Sequence, residues 1–167
     1  MTFPAPYRVL FVCTGNICRS PMAEVVFRAL ATDHGVDGLL LSRSAGTGDW
    51  HLGERADQRT LDALERRGYD GSAHRARQFD EDSFADNDLV VALDRTHERI
   101  LHEWARTEDD DGKITLLRSF DSHAPSMDVP DPYYAGPEMF DEVLAMIETA
   151  TQGLLRQLEP ALRLPRP

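Results

Sequence analysis

A short apolar strand that runs without a linker into a polar loop, and from there straight into a helix, constrains this chain more than any other feature. Tyr7–Val12 has the pattern of a buried strand, and Cys13-Thr14-Gly15-Asn16-Ile17-Cys18-Arg19-Ser20-Pro21 follows at once. Met22, Val25, Val26, Ala29 and Leu30 then share one helical face until Gly35. Pro21 suits a first helical turn, where its ring presets the backbone and its missing N–H is not needed. Three further short runs, Leu39–Ser44, Asp88–Leu93 and Ile114–Leu117, also read as buried strands. Between and after them lie helical patterns: Ala56, Leu61 and Leu64 closed by Gly68; Ile100, Leu101 and Trp104 capped by Asp94; and a long stripe from Phe140 to Leu158 that Gly153 is expected to interrupt. The runs Glu108–Gly112 and Asp80–Asp88 read as solvated loops, with Phe84 anchoring a short turn in the second. Strands alternating with helices predict an α/β fold: a four-stranded parallel sheet with helices on both faces. Such sheets bind ligands at the carboxyl ends of their strands, so the loop after the first strand is the expected phosphate-binding site.

Composition narrows the function. The chain has 167 residues, about one ordinary domain, expected to span 1–167. Its formal net charge of −11 argues against nucleic acid or an anionic membrane as partner. No apolar run approaches the roughly 18 residues of a membrane span. Met1–Pro6 carries no basic stretch, and Val9–Val12 is too short for a signal core. The expectation is a soluble, cytoplasmic protein, with leaderless export left open. Two cysteines, Cys13 and Cys18, cannot build a disulfide scaffold, and six scattered histidines show no ligand pairing, so no metal and no cofactor are expected.

The first loop carries the chemistry. It is not a Walker loop, because the G-x-x-x-x-G-K spacing is missing. It offers a thiol at the front and a guanidinium at the back. A free thiol ionises near pH 8.5, and a helix N-terminus or a nearby cation lowers that value. Amides curled over a helix start favour first the thiolate and then a bound dianion. Arg19 can grip two phosphate oxygens at once, a geometry that lysine lacks. A bare Cys-x5-Arg spacing is weak evidence; the strand before it, the helix after it, Gly15 and the closing Arg19-Ser20-Pro21 strengthen it.

The run Val12–Pro21 resembles the signature loop of the low-molecular-weight protein tyrosine phosphatases, and Val129-Pro130-Asp131-Pro132-Tyr133-Tyr134 is similar to the family's general-acid loop. Ser44–His51, Ala73–Gln78 and Ala92–Arg95 resemble further family segments, so the likeness covers a core of about 7–158, and the loop sequences look most like bacterial, actinobacterial-type members. The resemblance implies a phosphatase acting on phosphotyrosine in proteins and on aryl phosphates. Cys13 would be the nucleophile and Arg19 the phosphate clamp, with Asp131 as general acid and base. Thr14, Gly15, Asn16, Ile17, Cys18, Arg19 and Ser20 would cradle the phosphate. Asn16, Ser20, Ser44 and His74 would form a supporting hydrogen-bond network, and Trp50, Tyr133 and Tyr134 would wall the substrate pocket. Cys18 would be a redox guard that pairs with Cys13, and Tyr133 or Tyr134 could themselves be phosphorylated.

Each assignment has a plainer reading. Cys13 can be a small buried hydrophobe, Asp131 a rigid turn residue, Trp50 a rim aromatic and Cys18 an inert thiol. Asp128 competes with Asp131 but lacks the flanking Pro-Tyr. Two alternative functions follow. Arsenate reduction needs a cysteine relay, and no cysteine follows Cys18. A non-catalytic phosphotyrosine-binding module would lack the nucleophile or the acid, and both are present.

Overall fold

The computed structural model describes residues 5–164; Met1–Pro4 at the start and the last three residues of the tail lie outside the described residues. Four strands, β1 (Tyr7–Cys13), β2 (Leu40–Gly46), β3 (Leu89–Ala92) and β4 (Ile114–Leu116), form one sheet in the order β2-β1-β3-β4. Every pairing is parallel, with Phe11 opposite Ser44 and Val91, and Val91 opposite Thr115. The expected strands are therefore present, with ends shifted by one or two residues.

The sheet is covered on both faces, and β1 shows why its residues are apolar throughout. Side chains alternate across a strand, so Val9, Phe11 and Cys13 pack on one side, while Leu10 and Val12 pack on the other. The first side carries α1 (Arg19–Asp33), α2 (Gln58–Arg66) and α5 (Pro137–Leu162). Phe11 and Phe27 meet there edge to face at 5.5 Å. The second side is smaller and is closed by α3 (Arg95–Trp104) through Leu101, and by Phe79 and Phe84. Phe84 is buried in a turn, as expected.

Capping explains two helix starts. Asp57 accepts from the Arg59 N–H at 2.9 Å, which moves the start of α2 past Ala56 to Gln58. Asp94 accepts from the His97 N–H at 2.9 Å and opens α3.

Two expectations are corrected. Glu108–Gly112 is not a loop but a short helix, α4, because Thr107 caps it by accepting from the Asp110 N–H and its acidic first turn suits the positive end of the helix dipole. Gly153 does not interrupt α5, which continues to Leu162. A Cβ at Gly153 would stand 2.0 Å from the Phe120 carbonyl oxygen, in the 3-10 turn Leu117–Phe120. The missing side chain lets two backbones touch.

That close approach sets two effects against each other. Gly153→Ala gains about 1 kcal/mol of helix propensity. It also drives a methyl into backbone that cannot swing away, and overpacking of this kind costs about 1–3 kcal/mol or more. The expected result is a net loss of stability, seen as a lower denaturation midpoint in urea; an increase would show that the turn yields.

Candidate active site

The loop between β1 and α1 lies at the carboxyl end of the central strand. Its shape rests on Asn16, which is fully buried and has φ of +58°, a left-handed conformation that asparagine tolerates better than most residues. Its side-chain N–H groups donate to Ser20 Oγ at 2.8 Å and Ser44 Oγ at 2.9 Å. Its Oδ1 accepts from the Arg77 backbone N–H at 2.9 Å. Its carbonyl oxygen lies 2.6 Å from His74 Nε2. The Ser44 hydroxyl in turn donates to Glu24 Oε1 at 2.7 Å. All four residues expected in a supporting network thus meet around the loop, and Glu24 joins them. Gly46 lets β2 pass beneath it, since a Cβ there would sit 2.6 Å from the Thr14 carbonyl oxygen.

With Asn16 pinned, the loop backbone stays out of helix and strand pairing. The N–H groups of Gly15, Asn16, Ile17 and Cys18 donate to no protein acceptor among the described residues. Cys13, Thr14, Gly15, Ile17, Cys18 and Arg19 line a cavity of about 410 Å³. Its outer wall is Trp50, His51, Asp131, Tyr133 and Tyr134. Cys13 is buried at the cavity floor, with Sγ 2.9 Å from Ser20 Oγ.

Arg19 is buried and anchored through one of its two terminal nitrogens. One terminal nitrogen donates to Asp94 Oδ2 at 2.8 Å and to the Val129 carbonyl at 2.9 Å. The other lies 3.8 Å from Asp131 Oδ2. The guanidinium plane is therefore held from behind, with its second edge turned toward the cavity and Asp131. Burial opposes the charge on Asp94, but His97, its N–H and Arg19 together outweigh burial and hold the carboxyl below its ordinary range. Asp131 is half exposed, and its Oδ1 accepts from the Tyr133 N–H at 3.1 Å. Asp128 is turned elsewhere, accepting from the Arg95 N–H at 2.9 Å.

The aromatic wall is open. Trp50 is 69% exposed, its ring folded against Gly48, where a Cβ would collide with it. Tyr134 is 94% exposed and meets Tyr133 edge to face. Arg59 lies over the Tyr133 ring at 5.5 Å, which steadies the rim. Cys18 is buried and free, and burial pushes its thiol up to about 12.

Two histidines at the site were not foreseen. His51 lies beside Gly15 and pairs with Glu54 at 2.8 Å. His97 is buried, with Nε2 2.8 Å from Thr14 Oγ1 and Nδ1 3.1 Å from Asp94 Oδ1. The second approach is off the ring N–H direction and makes no hydrogen bond. Burial pushes the imidazole down to about 4. The Asp94-x-x-His97 spacing was the available signal, since a capping carboxylate reaches the residue three positions on. Among the described residues no cluster of three or more His, Cys, Asp or Glu side chains is placed to hold a metal ion.

A thiol, four loop amides without protein acceptors, a fixed guanidinium and a carboxyl at the mouth can together bind a tetrahedral dianion and exchange its phosphorus between sulfur and oxygen. The family model for low molecular weight phosphotyrosine protein phosphatase matches residues 8–163. A low molecular weight protein-tyrosine-phosphatase of Streptomyces coelicolor is 56% identical over 151 residues, covering 89% of this chain and 92% of the relative. Low molecular weight protein-tyrosine phosphatase A of Mycobacterium tuberculosis is 45% identical, covering 89% and 90%. The crystal structure of YfkJ from Bacillus subtilis superposes with a TM-score of 0.89 at 37% identity, covering 95% of this chain and 98% of that one. With fold, loop and relatives in agreement, the chain belongs to the low molecular weight phosphotyrosine protein phosphatase family and is a protein-tyrosine phosphatase.

Proposed function

We propose that this phosphatase works through a cysteinyl-phosphate formed on Cys13. The observation that supports it best is that residues from distant parts of the chain, Cys13 and Arg19 at the two ends of the first loop and Asp131 before the last helix, line one cavity. Sγ of Cys13 attacks phosphorus as the bond to the tyrosyl oxygen breaks, and Asp131 gives its proton to that oxygen. Tyrosine leaves. Water then attacks phosphorus, Asp131 takes its proton back, and the S–P bond breaks. The Ser20 hydroxyl, 2.9 Å from Sγ, donates to the departing thiolate. Arg19 and the amides of Thr14–Ser20 hold the equatorial oxygens throughout, and Asn16, Ser44 and His74 keep the loop open. Trp50, Tyr133 and Tyr134 receive the aromatic ring of the substrate, which is a phosphotyrosine side chain presented by a protein.

The described residues form one phosphatase domain, which acts in the cytoplasm. Among the described residues no helix is long and apolar enough to cross a membrane.

Cys18 is proposed as a redox guard. Its raised pKa leaves little thiolate to attack a Cys13 sulfenic acid, so the Cys13–Cys18 bond forms slowly near neutral pH and faster as pH rises. Mass spectrometry after peroxide at two pH values tests this. Inactivation that yields only sulfinic or sulfonic acid at Cys13 would rule the guard out.

The assignment of the acid is tested by leaving groups. Asp131→Ala is expected to slow phosphotyrosine hydrolysis by about 10²–10⁴, and hydrolysis of an aryl ester with a good leaving group much less. Equal losses on both would point to a structural role. In the same assay Cys13→Ser is expected to remove turnover, on the order of 10³-fold or more, in the presence of a chelator that leaves the wild type active.

His97 makes a pH prediction. Because its folded pKa lies below the ordinary histidine value of about 6.5, the unfolded chain takes up the proton first as pH falls. Its contribution to stability is complete above about pH 6.5, declines by up to about 1.4 kcal/mol per pH unit, and is fully lost below about pH 4. His97→Gln, which can still hydrogen-bond Thr14 but does not titrate, is expected to reduce that slope by about one proton in urea unfolding curves across this window. An unchanged slope would mean that His97 is not the group responsible.

A further inference from the structure

A second cavity, of about 320 Å³, lies behind the catalytic loop, between α1, β2 and the segment that carries His74. Arg28, Arg43, Arg75 and Arg77 line it, against two carboxylates, Glu24 and Asp70. Both carboxylates are already engaged: Glu24 with Arg28 and the Ser44 hydroxyl, Asp70 with the Ser72 N–H at 2.9 Å. Arg75 donates only to the carbonyl oxygens of Ser72 and His74. The side chains of Arg43 and Arg77 meet no carboxylate among the described residues. This is out of balance for a chain with 29 acidic and 18 basic residues, in which cations are scarce. Three arginines without carboxylate partners, Arg43 at the sheet edge and Arg75 and Arg77 on the neighbouring segment, line one concavity and favour an anion with several oxygens and more than one charge. A carboxylate has two oxygens and could satisfy at most one or two of them; a phosphoryl dianion can meet all three.

We propose that this cavity is a second anion site, distinct from the catalytic cavity, that takes a phosphoryl dianion. Its walls connect directly to the catalytic loop. The Arg77 N–H donates to Asn16 Oδ1, and Glu24 reaches Asn16 through Ser44. An anion seated there competes with Glu24 for Arg28, and a shift of Glu24 is felt at Ser44 and Asn16. Occupancy of the two cavities is therefore coupled, and linkage makes the coupling reciprocal for binding. The dianion can be free phosphate, which the catalytic reaction releases, or a phosphoryl group carried on a protein.

Side-chain Nε–Hε resonances of arginine, followed by NMR in the full chain, separate the cavities because Arg19 reports one and Arg75 and Arg77 the other. The probes are inorganic phosphate and, separately, a phosphoserine peptide, each at constant ionic strength. Saturable shifts of Arg75 and Arg77, with a dissociation constant at or below about 1 mM, are expected. Response to phosphate supports product occupancy, and response to the peptide alone supports a protein-borne phosphoryl group. The double variant R43Q/R75Q is expected to weaken this titration, now read at Arg77, at least tenfold while the Arg19 titration and aryl phosphate hydrolysis without added phosphate stay within about twofold. Phosphate inhibition should then become purely competitive. Shifts confined to Arg19 with both probes, or shifts that chloride reproduces at equal ionic strength, would overturn the second site without touching the catalytic assignment.

Discussion

The structure depends on one buried amide. Asn16 sits without solvent contact in a left-handed conformation, and both its polar side-chain atoms and its carbonyl have partners on β2, on α1 and on the His74–Arg77 segment. A buried polar group without partners costs about 1–3 kcal/mol, and a half-satisfied network is worse than an apolar one. Full satisfaction of Asn16 therefore holds the loop in one shape. That shape leaves four consecutive amides out of any helix or strand ladder.

Arg19 solves a related problem. A buried guanidinium needs carboxylate or carbonyl partners, but a phosphate clamp needs free donors. The residue divides its two terminal nitrogens: one is spent on Asp94 and the Val129 carbonyl, and the other faces Asp131 and the cavity. The side chain is thus ordered before any ligand arrives, which lowers the entropy cost of binding. A local cluster of this kind also explains how an acidic protein receives a dianion. At contact distance the fixed donors act almost unscreened, while the diffuse negative field is damped within about 10 Å.

Much of this was legible in the sequence. The four strands, their parallel arrangement and the helices on both faces follow from short apolar runs alternating with helical stripes. Cys13, Arg19 and Asp131 could be named from the loop and from Asp-Pro-Tyr-Tyr, and the cavity brings them together. The misses have physical causes. Gly153 carries a helix-weakening signal, but a contact with Phe120 from another element gives it a packing role that no local pattern records. Thr107 caps a run of carboxylates into a helix that charge alone would assign to a loop. His97 was one of six scattered histidines, yet its relevant neighbour was Asp94, the residue that caps its helix.

The sequence by itself determined the local matters: which residues enter strands, where helices start, and that a thiol and a guanidinium occupy one short loop. These depend on backbone preferences and periodicity, which act over a few residues. Only the tertiary structure set that Asp131 turns toward Arg19 while Asp128 turns toward the Arg95 N–H. It also decided that Glu24 and the Arg77 backbone would hold Asn16, and that three arginines without carboxylate partners would share one concavity behind it. Those outcomes are set by how loops from distant parts of the chain pack against the end of one sheet, and no spacing along the chain encodes that convergence.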